Sequence, residues 1–105
     1  MPVISAHRGI ITQINTFTTP PGQQQPLIDL LSEAAAWVST TEGWISASLH
    51  RSLDGTKVVN YAQCTDLDAS HAVIMRLKDA GYFERNAKLG VASPGLYETV
   101  FTLEK

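Results

Sequence analysis

The sequence predicts an α+β domain with one antiparallel four-stranded sheet, and three observations predict it. Two segments carry apolar residues at helical spacing, Gln23 to Thr41 and Asp66 to Ala80. Four segments rich in β-branched and aromatic residues surround them. Their order along the chain is strand, helix, strand, strand, helix, strand, which favours a single sheet with both helices on one face.

The first strand spans Arg8 to Thr19 and is stopped by Pro20-Pro21-Gly22. Its alternating faces are Ile11, Gln13, Asn15, Phe17 and Ile10, Thr12, Ile14, Thr16. Neither is purely polar, so both call for cover. The first helix follows, with Leu27, Leu30, Leu31, Ala34, Ala35 and Val38 on one face. Pro26 suits its first turn and Gly43 its exit.

Trp44 to Leu53 and Lys57 to Thr65 form a strand pair around Asp54-Gly55, a strong hairpin signal because both residues tolerate positive φ. Strict alternation puts Trp44, Ser46, Ser48 and His50 on one face of the first of these. In the second, Val58, Asn60, Ala62 and Cys64 oppose Val59, Tyr61, Gln63 and Thr65.

The second helix is capped by Thr65 or Asp66, packs through Leu67, His71, Ile74 and Leu77, and ends at Gly81. Tyr82 to Lys88 adds a short helical turn. Pro94-Gly95 opens the last strand, Leu96 to Leu103. The sheet face away from the helices keeps many apolar residues, and a second copy of the chain is its natural cover.

Composition sets further bounds. The 105 residues make one domain, 1–105. A net charge of −2 with scattered basic residues argues against nucleic-acid and membrane-surface partners. No apolar run approaches the roughly 18 residues of a membrane span. One cysteine, Cys64, allows no internal disulfide and suits a cytoplasmic location. No CxxC, HxxxH or GxGxxG pattern points to a metal or nucleotide cofactor.

Several segments carry a family resemblance. Ile14-Asn15-Thr16-Phe17-Thr18 with Pro21-Gly22, Leu49-His50-Arg51-Ser52-Leu53-Asp54-Gly55, Val59-Asn60-Tyr61-Ala62-Gln63 and Leu96-Tyr97-Glu98 resemble the antibiotic-biosynthesis-monooxygenase family. The resemblance runs over nearly the whole chain, and Leu49 to Gln63 is its most specific part. It implies a ferredoxin-like unit that pairs into a dimeric α/β barrel, with a pocket between sheet and helices in each subunit. It also implies cofactor-free oxygenation of anthrone-like polycyclic phenols by an Asn and a Trp four residues apart on the third strand. Asn60 matches that Asn, and Cys64 stands where the Trp would be. A haem-degrading branch uses a first-strand Asn, the same Trp and a later His. Asn15 matches the first, Cys64 replaces the second, and Phe83-Glu84-Arg85-Asn86-Ala87 contains no His.

The candidate catalytic residues are therefore Asn60, as hydrogen-bond donor to an enolate or peroxide oxygen, and His50, as base. Candidate substrate contacts are Asn15, Trp44, Tyr61, Cys64, His71 and Tyr97. Trp44 either replaces the missing indole or is a core or dimer residue. Cys64 is a small pocket wall or a nucleophile, with no base beside it in sequence. His50 and His71 have structural readings as well, and His7 precedes the first strand. Expected partners are a small aromatic substrate, O₂ and a second copy of the chain. No cofactor is expected. Two other readings use the same scaffold: a non-oxidative cyclase or isomerase, and a non-catalytic ligand-binding dimer.

Overall fold

The computed structural model describes residues 2–6 and 8–105; His7 lies outside them. The elements are β1 (Ile11–Thr18), α1 (Gln24–Val38), β2 (Trp44–Arg51), β3 (Lys57–Cys64), α2 (Leu67–Asp79), α3 (Tyr82–Ala87) and β4 (Val91–Glu98). The strands form one antiparallel sheet in the order β2-β3-β1-β4. This is the ferredoxin-like arrangement that the element order predicts.

Apolar burial decides how the layers meet. Leu27, Leu31 and Val38 of α1 are buried against strand residues, and Leu30 and Ala34 against Tyr82 of α3. One end of the core is Phe17, Leu27, Leu31 and Val58. The other end is Val38, Cys64, Ala69 and Val73, with Trp44 and Leu77 packed against it. The helix-facing side of the strands between these ends carries Gln13, Asn15, Asn60, Ala47 and Ala62. Small and polar residues in the middle of a sheet floor leave space beneath the helices.

Local chemistry fixes the connections. Gln24 is buried, and its Nε2 donates to the Ser52 carbonyl at 3.0 Å and the Lys57 carbonyl at 2.8 Å. It thereby ties the start of α1 to the β2–β3 hairpin. Within that hairpin Asp54 accepts from the Thr56 N–H at 3.0 Å and from the Ser52 and Thr56 hydroxyls at 2.7 Å each. These bonds to its charged form lower the Asp54 pKa to about 2. Asp66 caps α2 by accepting from the Ala69 N–H at 2.8 Å.

Four expectations need correction. The last strand begins at Val91, so Pro94 and Gly95 lie inside β4 and do not open it. Because β4 is an edge strand, it tolerates a proline. A Cβ on Gly95 would lie 2.6 Å from the Tyr97 hydroxyl and 2.8 Å from its ring, so the missing side chain seats that ring. Residues 99–103 lie beyond the ladder, with Val100, Phe101 and Leu103 exposed.

Second, of the expected α2 face Ile74 and Leu77 are half-buried and turned inward, but Leu67 and His71 are exposed and Ala69, Ser70 and Val73 are buried instead. Small residues win because the helix passes close to the turn before β2. A Cβ on Gly43 would meet the Ala69 Cβ at 2.5 Å. Third, Gly43 does not end α1. The helix closes at Ser39, and Gly43 serves that turn with φ of 86°.

The fourth correction concerns the faces of β2. Trp44 pairs with Cys64 but Ser46 pairs with Gln63, so Ile45 is an extra residue in a β-bulge. The bulge reverses the alternation on one side of it. Trp44 joins Ala47 and Leu49 on the helix side, while Ser46, Ser48 and His50 take the outer side.

Candidate active site

A cleft runs between the sheet floor and α2 and α3. Its inner part is a void of ≈ 50 Å³ bordered by Asn15, Asn60, Trp44, Leu77, Phe83 and Asn86. It widens toward β4 into a space of ≈ 460 Å³ bordered by Gln13, Asn15, Ile74, Phe83, Pro94 and Leu96. A side branch of ≈ 280 Å³ passes Phe17, Asn86, Gly90 and Val91. The open part lies within the range of about 300–1,000 Å³ that suits small organic ligands.

Each polar group here is set by the element that carries it. Asn15 of β1 and Asn60 of β3 are direct cross-strand partners. Their Cα atoms are therefore about 4.5–5.5 Å apart, and the two carboxamides stand side by side on the floor. The Oδ1 atoms of Asn15, Asn60 and Asn86 are buried and have no hydrogen-bond partner. Buried polar groups in a folded protein are nearly always paired, so three such atoms around one cleft mark a place for ligand or water. Asn86 reaches the cleft because α3 is anchored from outside. The Tyr82 hydroxyl donates to Glu33 at 2.9 Å, and Arg85 pairs with the same carboxylate at 3.2 Å. Burial and the Glu33 carboxylate both push the Tyr82 phenol up.

The bulge determines where Trp44 goes. It turns the indole to the helix side, where Trp44 borders the inner void and packs beside Cys64. The position that is Cys64 on β3 is thus paired with an indole on β2. Cys64 itself is buried among Val38, Ala69 and Val73 and does not border the cleft. Burial, then the nearby Asp66 carboxylate, pushes its thiol pKa up. A protonated, enclosed thiol is a poor nucleophile, and its surroundings are those of a packing residue.

The remaining expected site residues lie elsewhere. His50 pairs with Val59 on the outer face, is exposed, and shares a 2.8 Å hydrogen bond with Ser48. Tyr61 and Tyr97 are on the same outer face. His71 projects from the exposed side of α2. Within one chain none of the four borders the cleft, because pleat and helix rotation direct them away from it. Asn86 and Phe83, absent from the expected contacts, also border the cleft. The sequence signal toward them is that Phe83 to Ala87 is the segment where the later His of the haem-degrading branch would fall. Trp37 packs outside, with the Arg76 guanidinium 4.6 Å from its ring centroid and Tyr82 at 5.9 Å.

The cleft lining contains no Asp, Glu, Lys, Arg or His among the described residues. Its chemistry is that of carboxamides, each with one acceptor and one two-hydrogen donor, among aromatic and aliphatic walls. Also among the described residues, no three His, Cys, Asp or Glu side chains gather as a metal set. No helix there is long and apolar enough to cross a membrane.

Fold and site together define a ferredoxin-like α+β domain with an apolar, amide-bearing pocket under its helices. Comparison with known proteins then places it: the chain belongs to the antibiotic biosynthesis monooxygenase family, whose model matches residues 10–72. It is 37% identical over 76 residues to the tetracenomycin-F1 monooxygenase of Streptomyces glaucescens, covering 69% of this chain and 68% of that protein. SnoaB, a cofactor-independent oxygenase from Streptomyces nogalater, superimposes with a TM-score of 0.81 at 22% identity, over 92% of this chain and 99% of its own. The ActVA-Orf6 monooxygenase of Streptomyces coelicolor, solved with nanaomycin D, gives 0.81 at 25% identity over 93% and 94%. The chain is thus an enzyme of the monooxygenase type.

Proposed function

We propose that this chain is a cofactor-independent monooxygenase that oxidises an anthrone-like polycyclic phenol with O₂ to a quinone. One observation carries the reading. Two adjacent strand carboxamides, Asn15 and Asn60, share with the Trp44 indole the lining of an apolar cleft without ionisable groups. Such a pocket binds a flat ring and stabilises its anion through fixed donors.

The substrate supplies the electrons. Its methylene carbon loses a proton to water, and the anion is delocalised onto the ring oxygen. The Nδ2 donor of Asn60 holds that oxygen. The carbanion carbon reduces O₂ and becomes a hydroperoxide after protonation. Loss of one water gives the carbonyl, so anthrone plus O₂ yields quinone plus water. The apolar walls exclude bulk water from the anion and the peroxide. Trp44 forms one wall of the inner void, and buried Cys64 is kept from the peroxide. His50 is not needed for this sequence of steps.

A homodimer belongs to the same reading. The outer sheet face has no helix over it, and Tyr97 there is 52% exposed. The tail beyond β4 adds exposed Val100, Phe101 and Leu103. A second copy laid face to face covers this surface. Sedimentation equilibrium is expected to give twice the chain mass, and a monomer at micromolar concentration refutes it.

The enzymatic test is oxygen uptake with a simple anthrone, in metal-free and flavin-free buffer, against an enzyme-free control. Uptake above control with quinone as product is expected. Equal turnover with and without O₂ would point instead to a cyclase or isomerase. Recovery of unchanged, tightly bound ligand would point to a binding protein.

A further inference from the structure

We infer that Asn86 is a substrate-contacting specificity residue that accepts a hydrogen bond from a ring hydroxyl, so the enzyme selects polycycles hydroxylated on the edge facing α3. This rests on the pocket reading above, but not on the oxygenase chemistry. Asn86 is 8% exposed, and its Oδ1 has no partner. It borders both the inner void and the side branch, so it stands where they meet.

Its main-chain carbonyl is engaged, accepting from the Leu89 N–H at 2.9 Å and the Gly90 N–H at 3.1 Å. With α3 also held through Tyr82 and Arg85 to Glu33, the side chain has a fixed origin. Of its neighbours in the side branch, Phe17, Phe83, Ala87 and Val91 have no side-chain hydrogen bond to offer, and Asn15, which has, makes none to the Asn86 Oδ1. A buried carboxamide with no structural partner is explained by a ligand that supplies one.

The class of ligand follows from the acceptors. Three unpaired oxygens, on Asn15, Asn60 and Asn86, call for donors on the bound molecule. No cation borders the cleft among the described residues, so a carboxylate or phosphate at this edge would be buried without a countercharge. A neutral phenolic hydroxyl on a flat apolar ring satisfies both conditions.

The test uses three unreactive ligands: a hydroxyanthraquinone with its hydroxyl remote from the carbonyls, its methyl ether, and anthraquinone. Titration calorimetry on the native protein is expected to show the hydroxylated compound binding about ten-fold more tightly than the other two. Asn86→Ala and the near-isosteric Asn86→Leu are each expected to bring that preference to within about two-fold by weakening only the hydroxylated ligand. Retention of the preference in both folded variants overturns the inference. So does equal weakening of all three ligands, which is the mark of a structural residue, or no binding by the native protein. If oxygen uptake fails while the preference is found and lost as described, the oxygenase reading falls and this assignment stands.

Discussion

Replacing Asn60 with leucine is expected to make the ligand-free protein more stable while removing most of its activity. Leucine has the same number and branching of heavy atoms as asparagine, so Asn60→Leu adds no atom to the floor of the cleft. It removes a buried Oδ1 that has no partner. An unpaired buried polar atom costs about 1–3 kcal/mol, and since only the Oδ1 of this carboxamide is both buried and unpaired the gain should fall near about 1–2 kcal/mol. Unfolding entropy of about 2.1 cal/mol/K per residue makes each kcal/mol worth about 4–5 °C in Tm for a chain of this length. Scanning calorimetry at a fixed protein concentration should therefore show Tm rising by about 4–9 °C. Oxygen uptake should fall by about 10²–10³-fold, the usual loss when one donor to a developing oxyanion is removed. A drop in Tm would show that Asn60 is satisfied within the fold. Unchanged uptake would show that it holds no reacting oxygen. The first result refutes the argument from the orphaned Oδ1 and the second the donor role of Nδ2.

Three further outcomes are expected. Gly43→Ala should cost about 2–4 kcal/mol, seen as a lower urea midpoint, since its Cβ would meet Ala69 at 2.5 Å and its φ is +86°. Asp54 has a pKa of about 2, lowered from 3.8, so its stabilisation is complete above about pH 4 and is lost as pH falls toward 2. Asp54→Asn should accordingly flatten the acid limb of a pH–Tm profile, and an unaltered limb would count against the hairpin bonds. Cys64, buried and with its thiol pKa raised, should react with a thiol reagent slowly in the native state and rapidly in urea. Fast native labelling would place it in the cleft after all.

Much of the fold was legible in the sequence because it depends on local periodicity. The i, i+3, i+4 spacing of Leu27, Leu30, Leu31, Ala34 and Val38 defines α1, and its packing face is the buried one. The alternation along β3 puts Asn60 with Val58 and Cys64, as the register shows. A family match over residues 10–72 agrees with the resemblance carried by Leu49 to Gln63. The face of α2 was not legible, because Leu67 and His71 outweigh Ala69 and Ser70 in apolar size or functional interest. Only the close approach of Gly43 reveals why the small side is the buried one.

What the sequence by itself determined, then, is the set of elements, their order and the strand face on which each asparagine lies, since these follow from residue periods and short turns; the pairing of Asn15 with Asn60 came only with the long-range register of β1 and β3. Tertiary structure alone decided which groups share the cleft. One extra residue at Ile45 brings Trp44 under the helices and leaves His50 outside. The Glu33 anchor brings Asn86 over the floor from 26 positions beyond Asn60 in the chain. A bulge and a long-range hydrogen bond depend on partners distant in sequence, and no local pattern encodes them.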